Sequence, residues 1–220
     1  MKINTVEYAG TVVTARGEVP GDLPQVAFSG RSNVGKSSLI NTVLKRHRSK
    51  IARVSATPGK TQALNFYRVN DRFFLLDLPG FGYAKVPKAL RAGWKPLIEG
   101  YLSRDVDLRG VVHLVDSRHD PTPQDHQMLE FLAGIQMPTL VVLTKIDKLK
   151  WSQRKRAFDR AATRLGVDLD QLLPFSSKTG EGRDTLLAAL DDILTNPKPV
   201  GDATPDSEAE VPPTTTPGVT

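Results

Sequence analysis

Residues 30–37 read Gly30-Arg31-Ser32-Asn33-Val34-Gly35-Lys36-Ser37, a G-x-x-x-x-G-K-[ST] spacing between the apolar run QVAFS and the helix-forming SLINTVL. The chemistry that suits this spacing is the cradling of phosphate. Glycines let backbone N–H groups turn toward anionic oxygens, and the start of a helix adds its own free N–H groups and dipole. Lys36 would reach the β- and γ-phosphates, and the Ser37 hydroxyl would ligate Mg²⁺. An ordinary Gly-rich turn requires neither the strand before it nor the helix after it.

A second group follows the apolar run Phe73 to Leu76: Asp77-Leu78-Pro79-Gly80. A carboxylate ending the strand beside a phosphate loop can hold a magnesium-bound water, and Gly80 can bring its N–H close to a γ-phosphate. Pro-Gly alone marks only a turn; its position after a phosphate loop gives it weight. Between the two groups lies Ser55 to Gln62, a polar segment with threonines at 57 and 61. Thr61 directly abuts the next strand and is the residue expected to complete the metal shell, with Gly59, Lys60, Gln62 and Ala63 alongside the nucleotide. The alternative for this segment is a plain solvated loop. The catalytic assignment falls on Lys36, Thr61 and Gly80, and the metal assignment on Ser37 and Thr61.

Two further groups end apolar runs: Thr144-Lys145-Ile146-Asp147 after TLVVL, and Phe175-Ser176-Ser177 after LLP. Guanine presents two donors on one edge, its N1–H and its exocyclic amine, and one ionised carboxylate accepts both. Adenine offers an unprotonated N1 there and is repelled. Asp147 therefore selects guanine, the stem of Lys145 can lie on the purine face, and a backbone N–H at Ser176 or Ser177 can reach the guanine carbonyl. Each string is common alone; their order after a phosphate loop is not.

The elements that must position these residues alternate along residues 25–195. Strands are expected at QVAFSG, QALNFYRV, FFLLDL, GVVHLVD, TLVVLTK and LLPFSS. Helices are expected over Lys36 to Leu44, Pro87 to Ser103, Thr122 to Ala133, Ser152 to Leu165 and Arg183 to Leu194. Unbroken apolar strands alternating with helices predict an α/β fold of the P-loop NTPase kind: a mainly parallel six-stranded sheet with helices on both faces. The turn at Asn70-Asp71 predicts a hairpin that adds one antiparallel strand at the edge. In such sheets ligands bind beyond the carboxyl ends of the strands, where all these polar groups fall.

The chain has 220 residues and no cysteine, which excludes disulfides and cysteine-based metal sites and fits a cytoplasmic protein. No apolar stretch approaches the roughly 20 residues of a membrane span, and the first residues are too polar for a signal peptide. Residues 1–22 are read as an N-terminal extension, 23–196 as the nucleotide-binding domain and 197–220 as a tail without structure, rich in Pro, Thr and acids. The net charge is +6; one base against four acids gives the tail −3, which leaves +9 on residues 1–196. Such a domain is drawn to polyanions. Basic clusters stand at Lys45 to Arg53, Lys85 to Lys95 and Lys148 to Arg156, each a solvated face unless RNA covers it.

GRSNVGKSSLIN, TPGKTQALNFY, DLPGFGYAKV, LVDSRHDPTPQDHQML, TKIDK and FSSKTG together resemble the EngB/YsxC/YihA family of bacterial ribosome-assembly GTPases, which has a Ras-like G domain. The resemblance covers residues 25–195. It implies binding of GTP and GDP with Mg²⁺, slow hydrolysis of GTP to GDP and phosphate, association with the large (50S) ribosomal subunit and its rRNA, and a requirement in cell division and septation. A monomer with no DNA partner is expected. Many GTPases carry Asn where Thr144 stands; a threonine can still hydrogen-bond toward the phosphate loop with less reach.

Where Ras places a water-orienting glutamine, this chain has Phe81, which cannot hydrogen-bond to water. Hydrolysis is therefore expected to wait on a partner's side chain, on rRNA, or on a potassium ion near Asn33, the last suggested by similar GTPases with Asn at this place. Alternatively Phe81 is an apolar anchor. Two other functions stay open: a GTP-dependent binding module in cell division whose hydrolysis is incidental, and another P-loop enzyme acting on ATP, against which Asp147 argues.

Overall fold

The computed structural model describes residues 1–46, 51–52, 63–81, 96–104 and 106–196. Seven strands and five helices occur among the described residues: β1 Val6–Val12, β2 Gln25–Gly30, α1 Lys36–Val43, β3 Leu64–Val69, β4 Phe73–Asp77, α2 over 96–102, β5 Leu108–Asp116, α3 Pro123–Gly134, β6 Thr139–Thr144, α4 Trp151–Leu165, β7 Leu172–Pro174 and α5 Arg183–Thr195. The sheet order is β1-β3-β4-β2-β5-β6-β7. β4, β2, β5, β6 and β7 run parallel, whereas β3 runs antiparallel to both β4 and β1.

The sheet thus has seven strands where six are expected, and the single antiparallel strand is interior. The additional strand comes from the residues read as an N-terminal extension. Val6 and Val12 are buried at its two ends, but the positions between are open or half-open, and a register shift between Tyr8 and Gly10 breaks the alternation. That bulge hides the period of two that sequence reading relies on.

The central strand β2 is buried along its whole length, as a strand covered on both faces must be. Alternate residues feed two layers. Val26 and Phe28 join α1 and α5 through Leu39, Ile40, Leu186 and Leu190. Ala27 joins α2 and α3 through Leu97, Tyr101 and Leu132, and Val141 and Leu143 continue that face under α4 with Ala161 and Leu165. Phe66 meets Phe74 and Tyr101 edge-on at 6.0 and 5.9 Å, contacts worth about 0.5–1.5 kcal/mol each beyond area burial. Burial pushes the Tyr101 phenol up to about 12, its hydrogen bond to Gln25 offsetting only part of this. That bond ties α2 to the start of β2.

Thr122 caps α3 just before Pro123: its N–H and hydroxyl donate to Asp125 at 2.8 and 2.7 Å. α1 ends where Arg183 of α5 donates to the carbonyls of Thr42 and Val43 at 3.0 and 2.7 Å. The helix expected from Pro87 is described only from residue 96, and the tail 197–220 lies outside the described residues. Among the described residues no helix is long and apolar enough to cross a membrane.

Candidate functional site

Because five strands run parallel, their carboxyl ends form one row across the sheet: Asp77, Gly30, Asp116, Thr144 and Pro174. β2 has β4 on one side and β5 on the other, so the chain order reverses at the strand that feeds the phosphate loop. This is the crevice in which such sheets take ligands.

The loop leaves β2 at Gly30, whose φ is 154° and whose missing Cβ would lie 2.9 Å from the carbonyl oxygen of Leu114. No larger residue fits there. Asn33 stands in the left-handed region at φ 65°, a conformation Asn tolerates better than most. Val34 donates to the Arg31 carbonyl at 3.2 Å, and Ser32 donates to the Phe81 carbonyl at 2.8 Å. The N–H groups of Gly35, Lys36 and Ser37 have no protein partner among the described residues. They are the orphan donors at a helix start, and they suit an anion.

Gly80 packs on this loop: a Cβ there would lie 3.3 Å from the Ser32 amide nitrogen, and its carbonyl accepts from the Ser32 hydroxyl at 3.2 Å. Leu78 is buried beneath it, and Pro79 completes the turn. The Asp77 side chain, 10% exposed, pairs with the Lys36 ammonium. Both groups named for phosphate and metal therefore occupy one spot.

Mg²⁺ keeps several waters and is held by one or two protein oxygens plus phosphate. The donors here fit that demand, with a hydroxyl at Ser37 and a carboxylate at Asp77. Among the described residues no three His, Cys, Asp or Glu cluster as an all-protein metal cage would need. Gly59, Lys60, Thr61 and Gln62 lie outside the described residues, so the structure does not place the expected second metal ligand; Ala63 is buried at the foot of β3. Asn41 of α1 holds the chain leading toward that segment, accepting from Ile51 and Ala52 at 3.1 Å and donating to the Ala52 carbonyl at 2.9 Å.

At the other end, Thr144 donates to the Val34 carbonyl at 2.7 Å, so the shorter side chain reaches the phosphate loop. Lys145, at φ 59°, sends its ammonium to the Asn33 carbonyl at 2.6 Å and to Asp116 at 2.8 Å. Its stem passes over Gly35, with Cε 3.8 Å from where a Cβ would stand. A potassium ion near Asn33 finds no support among the described residues: the cation that the Asn33 carbonyl receives is Lys145. Burial pushes the Asp116 carboxyl up, but hydrogen bonds from Arg118 and Lys145 outweigh it and hold it at about 2.

Asp147 sits in a short 3₁₀ turn with the buried Ile146. The Ser176 hydroxyl donates to its carboxylate at 2.7 Å. Phe175 is fully buried, donating to Leu143 and accepting from Ile146. The Ser176 N–H is taken by the Glu181 carbonyl at 3.0 Å, whereas that of Ser177 has no partner among the described residues. Of the two backbone donors considered for the guanine carbonyl, Ser177 is the free one.

Sequence reading missed Asp116 as the anchor of Lys145, although an acid ending β5 in the same row was a signal. It also missed a buried chain under the loop. His113, fully buried as a core residue, contacts Ser29 at 2.8 Å and Asp125 at 3.3 Å. Its ring stacks on Phe81 at 6.0 Å between centroids and 11° between planes. Phe81 thus rests on His113 of β5, which itself contacts Ser29 of β2 and Asp125 of α3, an arrangement that suits an apolar anchor. Burial pushes Asp125 up, yet hydrogen bonds from His113 and Thr122 more than offset this and hold it below the usual carboxylate range.

A parallel sheet with a phosphate loop at its switch point and a serine-held aspartate at the base end defines a P-loop GTPase. A family model described as 50S ribosome-binding GTPase matches residues 25–145. The chain is 50% identical over 198 residues, 90% of its length, to a probable GTP-binding protein EngB of Gemmatimonas aurantiaca, covering 96% of that protein. It is 49% identical over 198 residues to the one of Desulforamulus reducens, with 88% and 95% covered. A crystal structure of a probable GTP-binding protein engB superposes with a TM-score of 0.64 at 26% identity, over 77% of this chain and 98% of that one. The chain belongs to the EngB family of GTP-binding proteins.

Proposed function

We propose that the protein binds GTP with Mg²⁺ along this row of strand ends, hydrolyses it slowly to GDP and phosphate, and acts in assembly of the 50S ribosomal subunit, on which normal cell division and septation depend. The observation that carries the nucleotide reading is the Asp147 carboxylate, held by Ser176 at 2.7 Å at the far end of the row from the phosphate loop. One side chain supplies the acceptor pair that guanine requires, and Ser177 supplies a free donor for its carbonyl. The free N–H groups of Gly35, Lys36 and Ser37 with the Lys36 ammonium would take the β- and γ-phosphates. Ser37 and Asp77 would hold the metal, Asp77 through water, with Thr61 closing the shell; when bound, Mg²⁺ neutralises charge at the phosphate oxygens.

Slow turnover follows from Phe81. The residue after Gly80 is pinned on His113 and has no polar atom to orient water. The ribosomal role is supported by the description of the matching family model and by the basic domain. The cytoplasm is the compartment that fits a chain without cysteine. The deciding experiment is co-sedimentation with 50S particles in GTP analogue and in GDP, with turnover measured alongside. Nucleotide-dependent association with accelerated hydrolysis is expected. Association without any effect on turnover would favour a binding module in cell division, and its absence under both nucleotides would overturn the ribosomal role.

A further inference from the structure

We infer that the start of α4, with Trp151 at its centre, is a surface that stacks an unpaired RNA base and grips the flanking phosphates. Trp151 is 83% exposed, more than any other large apolar side chain among the described residues. Lys148, Lys150, Lys155 and Arg156 surround it in sequence, and all are exposed. Residues 148–164 hold seven bases against one acid; Arg154 pairs with Glu181, and Arg160 and Arg164 with Asp120, which leaves the excess charge around Trp151. The Lys150 ammonium and the Arg156 guanidinium have no charged partner among the described residues, and the Lys148–Asp147 pair at 4.0 Å and the exposed Lys155–Asp159 pair are weak.

The fold gains little from the open face of Trp151 and the cations beside it. An exposed indole forgoes burial, and cations at the positive end of a helix that has no acid in its first turn oppose its dipole. A local conflict of that kind points to function. Aromatic faces among cations are the means by which proteins hold single-stranded nucleic acid, the ring taking a base and the cations the backbone. The Arg154 guanidinium lies 5.2 Å from the Trp151 ring centroid, fixing the indole from one side.

The same arginine connects this surface to the guanine end. Arg154 donates to the Glu181 carboxylate at 2.6 Å, the Glu181 carbonyl accepts from the Ser176 N–H, and the Ser176 hydroxyl holds Asp147. An RNA seated on Trp151 is therefore linked through three residues to the carboxylate that reads the base.

The inference rests on the ribosomal reading and deepens it by naming the RNA-contacting surface. It is tested by filter binding of the full chain, loaded with GTP analogue, to isolated large-subunit rRNA, to poly(U) and to an RNA duplex. Trp151→Ala should weaken rRNA and poly(U) binding about 5- to 150-fold. Trp151→Phe should restore most of it, and GTP affinity should stay within about twofold because the ring is solvent-facing. Lys155→Ala with Arg156→Ala should lower the slope of log affinity against log salt by about 1.4. Equal binding by wild type and Trp151→Ala, or equal loss on the duplex and on poly(U), overturns the inference and leaves the ribosomal reading intact. Loss of 50S binding with rRNA binding unchanged makes the face a protein dock and likewise overturns it. A wild type that binds neither rRNA nor 50S particles overturns the ribosomal reading itself.

Discussion

Thr144, at the end of β6, donates its hydroxyl to the carbonyl of Val34 in the phosphate loop at 2.7 Å, across 110 residues of sequence. The bond joins the two ends of the nucleotide row. Thr144→Val keeps the shape and removes the donor, leaving a buried carbonyl short of a partner. The expected cost is about 1–2 kcal/mol. For a domain of this size that is a fall in melting temperature of about 2–8 °C, read by calorimetry, with weaker binding of GDP and GTP alike.

Ser176 orients Asp147, so Ser176→Ala should weaken guanine nucleotides by about tenfold or more, the value of a hydrogen bond to a charged group. Asp147→Asn should go further and change the preference. The carboxamide offers a donor where guanine also has one, and xanthine has an oxygen there. Titration with GDP and XDP checks this; an unchanged GDP affinity would remove Asp147 from the site.

Asp116 makes the stability of the fold sensitive to acid. Its carboxyl is held at about 2 in the folded chain against an ordinary 3.8. A depressed folded value contributes stability that is fully present above the unfolded pKa and is lost as pH falls from about 4 through 2. The group is half-buried, and solvent screening holds the contribution to about 1 kcal/mol. Asp116→Asn should melt lower than wild type at pH 7, and the gap between them should close below pH 4. A constant gap down to pH 2 would show that another group holds Lys145.

Lys36→Ala should lower GTP affinity by about 10- to 150-fold, the range for charge-assisted contacts. Stripping divalent ions with a chelator should bring turnover to the background of the buffer, and Mg²⁺ should restore it. Persistent turnover in chelator would refute the role given to Ser37 and Asp77.

What was legible in the sequence follows from how locally each feature is encoded. β2 and α1 are marked by an apolar run, a glycine at a position that tolerates nothing else, and a helix start, all within 20 residues. Asp77, Thr144 and Asp147 were readable because parallel strands bring their own ends together once the order of elements is known. Lys145 was placed on the purine face from its type alone; its reach to Asp116 and Asn33 depends on the register of β5 against β6 and has no local sign. Phe81 on His113 is likewise a contact between distant segments, and β1 was hidden by its bulge.

The bulged strand β1 covers one flank of a regular strand. β3 is hydrogen-bonded on both flanks, by β4 and by β1. Remove the first dozen residues and its backbone N–H and C=O groups would stand bare beside Phe66 and Tyr67, a template for recruiting another molecule. The amino-terminal segment thus puts a bulged edge where a regular one would otherwise stand, and a trimmed chain should precipitate before it loses nucleotide.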